Sequence, residues 1–227
     1  REVFYDVLTG EQDSSSRAEE IALGANERAY TSQGLDTLTS LRFATGPVGH
    51  ELRFGLRPHY DTVERDHSET SYAMTDGELV HDGGDPEVTA DTIADTFALA
   101  GYLSYGVSAY GLTLVPGARI ESIFQSFEDQ GTGESQSNSY TVALYGVGAH
   151  YAITPELGLL LGVHEGFSPL SPGQDQAVQP ERSVNYEGGL RYMRPASRSV
   201  LEAVGFLNHY GNMVAQCSFS AGCSAAD

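Results

Sequence analysis

The sequence contains no lysine and no tryptophan, and all twelve of its basic residues are arginine. A Walker-type phosphate loop and a Schiff-base site both require a lysine, so neither can form within these 227 residues. The net charge of −19 is also unlike that of a nucleic-acid binder, which carries a basic stripe to displace counterions from phosphate. We therefore predict no nucleic-acid partner.

Long apolar runs are also missing, and the longest lies near Leu157 to Val163. A membrane-spanning helix needs roughly twenty such residues, so that class is excluded. A strand of a membrane barrel needs only about ten residues of alternating character, so a membrane location is still open. The chain begins at Arg1 with neither a methionine nor a signal peptide, and we expect a piece of a longer protein.

Glycine and tyrosine are abundant instead, with 26 and 13 residues, and this mixture favours strands and turns over helices. Apolar and polar side chains alternate along much of the chain, which places them on opposite faces of a strand. The clearest segments are His50–Tyr60, Leu112–Ser122 and Val184–Met193. In the first of these, Leu52, Phe54 and Leu56 alternate with Glu51, Arg53, Arg57 and His59.

This alternation predicts about eight strands separated by connections of two lengths. The strands are near residues 33–44, 49–62, 92–105, 110–124, 139–152, 157–167, 183–193 and 199–212. Short turns are predicted at Thr45–Val48, Val107–Ala109, Ile153–Glu156 and Arg194–Ser197. Long polar connections are predicted at Asp61–Asp91, Glu128–Ser137 and Ser168–Arg182 and beyond Met213. The first thirty residues are predicted to be irregular, apart from part of a strand at Val3–Leu8.

Two folds share this alternation, because a soluble β-sandwich buries its apolar faces whereas an outer-membrane barrel turns them toward lipid. The strict alternation of short and long connections favours the barrel, whose tight turns lie at one end and whose long loops lie at the other. We predict an all-β fold, an antiparallel transmembrane β-barrel segment with short periplasmic turns and long extracellular loops. A soluble β-sandwich is the alternative.

Several strings resemble the barrel of TonB-dependent receptors, and in particular the subgroup containing the ferric dicitrate receptor. They are GVHEGFSP at 162–169, PERSVNYEGGLRY at 180–192, EAVGFLNHYGNMV at 202–214, CSFSAGC at 217–223, HELRFGLRPHYDTVERD at 50–66 and LTLVPGARIES at 112–122. The similarity covers most of the chain from about Glu27 onward. Its specificity comes from the combination of strings.

The resemblance implies that residues 1–227 are about eight to ten strands of a barrel of about twenty-two, without its plug domain and final strands. It implies TonB-energised uptake of a ferric chelate, of the siderophore or ferric citrate type, across the outer membrane of a Gram-negative bacterium. The implied partners are the TonB complex, acting through the plug, the chelate, and outer-membrane lipid and lipopolysaccharide. A passive porin or adhesin-like barrel is the first alternative, and an outer-membrane enzyme is another.

Four arginines on the predicted lumen face are candidate ligands for the chelate. They are Arg53, Arg57, Arg119 and Arg191. Guanidinium groups pair with the carboxylates of such complexes. The competing role, which we favour for each arginine, is an ion pair with Glu51, Glu121 or Glu187 or with a plug.

No catalytic, cofactor or metal site is predicted, and we expect that the protein is not an enzyme. His50 beside Glu51 and His164 beside Glu165 are strand neighbours, so their side chains point to opposite faces and do not converge. No G-x-S-x-G nucleophile elbow occurs in the sequence.

The two cysteines, Cys217 and Cys223, lie in a glycine- and serine-rich segment near the end of the chain. A local disulfide would form in an oxidising compartment, whereas a reduced pair would suit the cytosol. The disulfide is favoured, because the residues between the two cysteines offer no further metal ligand.

Overall fold

The computed structural model describes residues 20–75, 78–174 and 178–212. In chain order their strands are β1 (Glu20–Gly34), β2 (Thr39–Thr45), β3 (Val48–Thr75), β4 (Glu78–His81), β5 (Glu87–Ala109), β6 (Leu112–Asp129), β7 (Glu134–Ala152), β8 (Leu157–Ser168), β9 (Glu181–Arg194) and β10 (Ser199–Gly211). One short 3-10 turn, Pro195–Ser197, lies between the last two strands. Within the described ranges, no helix has the length and apolarity needed to cross a membrane.

The strands form one antiparallel sheet in the order β1-β3-β5-β6-β7-β8-β9-β10, with β2 and β4 also paired to β3. The predicted all-β antiparallel fold is confirmed. The described residues form one sheet rather than two stacked sheets, so the β-sandwich alternative is wrong. Apolar side chains accordingly stay exposed, as in Phe206 at 74% and Leu201 at 71%.

The chain divides into two compact units. Among described residues, the first unit contains residues 20–33, 60–96 and 125–137 without the gap at 76–77. The second contains residues 34–59, 97–124 and 138–212 without the gap at 175–177, and it holds all four of the predicted short turns. Cys217 and Cys223, the predicted strand at Val3–Leu8 and the tail beyond Met213 lie outside the described residues.

Most predicted turns of the second unit are confirmed, but one is misplaced. β5 continues through Val107–Ala109, and the turn follows at Tyr110 and Gly111. Their φ angles of 51° and 80° fit a type I′ hairpin turn, which needs positive φ at both central residues. Glycine at the second position adopts this conformation without strain. Tyrosine is not typical of the first position, so the sequence did not indicate the turn there.

The long polar connections predicted in the first unit are largely strands. β3 runs on to Thr75 and β5 begins at Glu87, so most of Asp61–Asp91 is an extended hairpin. In Glu128–Ser137 only residues 130–133 separate β6 from β7, and residues 20–30, predicted to be irregular, belong to β1. The prediction failed here because a strand whose two faces are both solvated shows no alternation of apolar and polar residues. Such a strand is defined by the hydrogen bonds to its neighbours.

Candidate functional site

The polar face of the second unit is set by strand register. In the β2–β3 ladder Arg42 lies opposite Glu51, whereas Leu41 lies opposite Leu52 on the other face. Glu51 accepts hydrogen bonds from Arg42 at 2.8 Å and from Arg53 at 3.0 Å. The predicted candidate Arg53 therefore pairs with the carboxylate predicted as its competing partner, and it shares that carboxylate with Arg42.

Arg119 on β6 is paired in the same way. Its guanidinium donates to Glu121 at 2.6 Å and 2.9 Å, and both residues lie on the same side of one strand. Residues i and i+2 share a face of a strand, which is why this pair could be predicted from spacing alone.

Arg191 on β9 also forms an ion pair, but with a different partner from the one predicted. It donates to Glu202 at 2.5 Å, because Glu202 lies directly opposite it in the β9–β10 ladder. Glu187, the predicted partner, lies opposite Gly162 on β8 instead. A directly opposed pair is closer than two residues four positions apart on one strand, so cross-strand register decides the pairing.

Arg57 differs from the other three arginines. Its guanidinium lies 3.5 Å from Nδ1 of His59, and no carboxylate of the described residues lies within ion-pair distance of it. Among the four candidates, Arg57 is thus the one for which the described residues show no carboxylate partner.

Tyr102, which the sequence did not indicate as important, forms hydrogen bonds with the residues between β1 and β2. Tyr102 donates through its hydroxyl to the Thr37 carbonyl at 2.8 Å and lies 3.2 Å from the Asp36 carboxylate. The Thr37 hydroxyl exchanges hydrogen bonds with the backbone groups of Leu56, and the Thr37 amide also donates to the Leu56 carbonyl at 3.0 Å. A side chain at Gly55 would overlap both Tyr102 and the Thr37 carbonyl, so glycine is needed there.

The opposite, apolar face carries an aromatic stack around His50. The His50 ring lies on Phe43 with a centroid separation of 4.7 Å, and its nitrogens are 2.6 Å from the Thr45 hydroxyl and 2.7 Å from the Tyr105 hydroxyl. Glu51 points to the other face, toward its arginines. The prediction that His50 and Glu51 do not converge is confirmed.

A cavity of about 710 Å³ lies on the polar face of the second unit. Val115, Leu144, Leu160 and Val204 make its lining largely apolar, and its polar lining residues include Arg119, Arg191, Glu187, His150 and His164. The lining also includes Gly148 and Gly162, which lie directly opposite each other in the β7–β8 ladder. The face predicted to be polar thus contains a largely apolar trough, together with the Arg119–Glu121 and Arg191–Glu202 ion pairs.

The connection after β8 is attached to β7 through a hydrogen bond to the half-buried hydroxyl of Tyr140. The Leu170 amide donates to the Tyr140 hydroxyl at 3.0 Å, and the Leu170 side chain is 6% exposed. About ten residues of a strand suffice to cross a bilayer, and Tyr140 lies farther than that from the turn between β7 and β8. Burial raises the pKa of the Tyr140 hydroxyl above its ordinary value, with a smaller opposite effect from the Leu170 amide.

The first unit has its own polar contacts. Tyr60 and Thr62 donate to Asp95 at 2.6 Å and 2.8 Å, and Arg28 donates to His67 at 3.3 Å. Its many carboxylates do not converge, because no group of three metal-binding side chains occurs among the described residues.

A family model described as TonB dependent receptor-like, beta-barrel, matches residues 3–226, nearly the whole chain. The chain belongs to the TonB-dependent receptor-like β-barrel family. The resemblance seen in the sequence is thereby confirmed. Members of this family are outer-membrane proteins of Gram-negative bacteria and act as receptors and transporters rather than enzymes.

Solved TonB-dependent receptors share the fold. The unliganded ferric citrate transporter FecA is 25% identical with a TM-score of 0.66, over 75% of this chain and 26% of that one. The ferric-catecholate import receptor Fiu of E. coli K12 is 16% identical with a TM-score of 0.65, over 85% and 33%. The ferric yersiniabactin uptake receptor FyuA of Yersinia pestis is 16% identical with a TM-score of 0.61, over 85% and 30%. The chain thus spans about a quarter to a third of the length of these receptors.

Proposed function

We propose that this chain is part of the barrel wall of an outer-membrane receptor that takes up ferric chelates with energy from the TonB complex. The observation that carries the proposal is the family match over residues 3–226. It is supported by the likeness to the ferric citrate transporter FecA and by fold likeness to two further ferric-chelate receptors.

In this proposal residues 1–227 belong to the barrel domain, and the plug that contacts TonB is encoded elsewhere in the longer protein. The apolar face with His50, Phe43 and Tyr105 lies against lipid, where aromatic side chains are common near the membrane boundary. The polar face with its arginine pairs lines the lumen. The outward parts of the long strands meet the lipopolysaccharide layer.

Among the four arginine candidates, we assign the ligand role to Arg57. The other three each hold a carboxylate at 3.0 Å or less, and an anionic chelate would have to compete with that partner. The described residues show a contact of Arg57 with His59 and no ion pair with a carboxylate. A guanidinium without a carboxylate partner gains most from a carboxylate on the ligand.

The test is growth of an iron-limited strain that lacks the complete gene, on one ferric chelate at a time. At least one chelate should fail to support growth until the gene is restored. Restoration should also require a functional TonB complex, because a passive porin would work without it. Equal growth of the deletion strain on every chelate would contradict the ferric assignment, and TonB-independent restoration would favour the porin.

A further inference from the structure

Glu187 on β9 is an exception among the carboxylates of the polar face. Glu51, Glu121 and Glu202 each hold an arginine at hydrogen-bonding distance. Glu187 forms no hydrogen bond or ion pair with any described residue. Arg191 lies four residues further along the same strand, about 13 Å away at the usual rise, and it is held by Glu202. The negative charge of Glu187 is therefore uncompensated within the described part of the wall.

The neighbours of Glu187 leave space on one side and provide an aromatic ring on the other. Gly162 lies opposite Glu187 on β8, and a carboxylate oxygen of Glu187 lies 3.8 Å from the place a Cβ at residue 162 would occupy. Phe206 lies opposite Glu187 on β10, and its side chain is exposed. Directly opposed residues share a face of the sheet, so the carboxylate stands between bare backbone and a phenyl ring. This combination suits a cation, because a carboxylate and the face of an aromatic ring both attract positive charge.

An apolar stretch of the trough adjoins this carboxylate. Leu160 on β8 and Val204 on β10 line the cavity two residues nearer the short turns than Glu187. Two residues further on, the His150 ring stands over Gly158 and ends the apolar stretch. Four residues of strand separate the two polar ends, a length of about 13 Å. A ligand held at Glu187 therefore has an apolar body of limited length.

The polar groups near Glu187 favour an organic cation over a metal ion. His164 lies opposite Asn185 and is thus a diagonal neighbour of Glu187, where its ring can accept a hydrogen bond. No group of three metal-binding side chains occurs among the described residues, and one carboxylate with one imidazole is too few for a bare metal ion. An ammonium group needs fewer fixed partners, because each of its N–H donors can bond to a side chain or to solvent.

We propose that the trough binds a solute that carries a protonated amine on an apolar body. The ammonium group pairs with Glu187 beside Phe206, and the apolar body lies along Leu160 and Val204. The cavity of about 710 Å³ has the size of pockets that hold a small molecule. The inference rests on the proposed function in one respect, because that function makes this face the inner wall along which a solute passes. The site is separate from Arg57, whose guanidinium suits an anion.

The experiment uses the purified full-length receptor in detergent without any ferric chelate. The probes are 2-naphthylmethylamine, which is a cation at neutral pH, and 2-naphthalenemethanol, its uncharged analogue. Binding is measured by equilibrium dialysis with empty micelles as the blank. The amine should bind saturably and about tenfold more tightly than the alcohol, because a hydrogen bond to a charged group adds to the apolar contact. Added salt should weaken binding of the amine and leave that of the alcohol unchanged.

Four variants test whether the preference for the amine comes from the carboxylate. Glu187→Gln should remove the tenfold preference, whereas Glu187→Asp keeps the charge and should retain most of it. Glu156→Gln is the matched control, because this exposed carboxylate lies in a short turn outside the cavity, and it should leave both affinities unchanged. Phe206→Leu should weaken binding of the amine about threefold and that of the alcohol less.

Three results would overturn the proposal. They are a preference for the amine that survives Glu187→Gln, equal affinities of the two probes for the wild type, and a lack of saturable amine binding. The last result is expected if another part of the protein already holds Glu187.

Growth on ferric chelates distinguishes the two proposals. If the amine preference depends on Glu187 but no chelate depends on the receptor, the uptake function fails and the amine site stands. If growth on a chelate requires the receptor but the amine is not preferred, only the amine site fails.

Discussion

Replacing Gly55 with alanine tests how the break between β1 and β2 is held. The new methyl group would overlap the Thr37 carbonyl and the Tyr102 ring, and it would push away the hydroxyl that donates to Thr37. One of the two overlaps is with backbone, which cannot rotate aside as the end of a flexible side chain can. The hydrogen bonds exchanged by Thr37 and Leu56 depend on the same local geometry.

The magnitude follows from two opposing effects at this position. Overpacking a well-fitted site costs about 1–3 kcal/mol, and the backbone overlap at Gly55 places the cost near the top of that range. Removing a strand glycine returns roughly 0.5–1 kcal/mol of backbone entropy. We expect Gly55→Ala to lower the free energy of unfolding by about 2 kcal/mol, which is a factor of roughly thirty in the equilibrium constant.

The assay is urea unfolding of the full-length receptor refolded in detergent, followed by circular dichroism. Gly101→Ala is the matched control, because its Cβ would meet only Leu56 at 3.5 Å, and it should shift the midpoint little or slightly upward. Gly55→Ala should lower the midpoint without changing the slope. A midpoint for Gly55→Ala equal to that of the wild type would refute the packing argument.

Three further predictions concern single side chains. Tyr140→Phe should make the Leu170 amide exchange about fivefold faster, by loss of a hydrogen bond worth about 1 kcal/mol. Burial raises the pKa of the Tyr140 hydroxyl, so its contribution to stability is complete below the ordinary phenol pKa of about 10 and is lost as pH rises through the raised value. The loss of stability that Tyr140 causes at alkaline pH should therefore be absent from Tyr140→Phe. Arg57→Ala should weaken chelate binding about tenfold in a direct binding assay. The control Arg119→Ala should lower thermal stability more than it lowers affinity. Equal affinities of the wild type and Arg57→Ala would contradict the ligand role assigned to Arg57. Glu51→Gln should lower the melting temperature at low salt and much less at high salt, and a salt-independent loss would argue against an electrostatic cause.

The predicted fold class is correct although part of the reasoning behind it is not. Alternation in His50–Tyr60 and Val184–Met193 identified strands and their two faces, and the structure confirms both. The supposed loop at Asp61–Asp91 is mostly strand, so the contrast of short and long connections is weaker than the sequence suggested. A polar segment is solvated on all sides whether it forms a strand or a loop, so polarity alone does not distinguish the two.

For the candidate site, the sequence determined which face each arginine occupies, because side-chain direction alternates along a strand whatever its neighbours are. It also fixed the Arg119–Glu121 pair, since both residues lie on one strand. Only tertiary structure decided that Arg191 pairs with Glu202 and that Gly148 lies opposite Gly162. These contacts depend on register between strands, and a shift of one residue would move every side chain to the other face without changing the sequence.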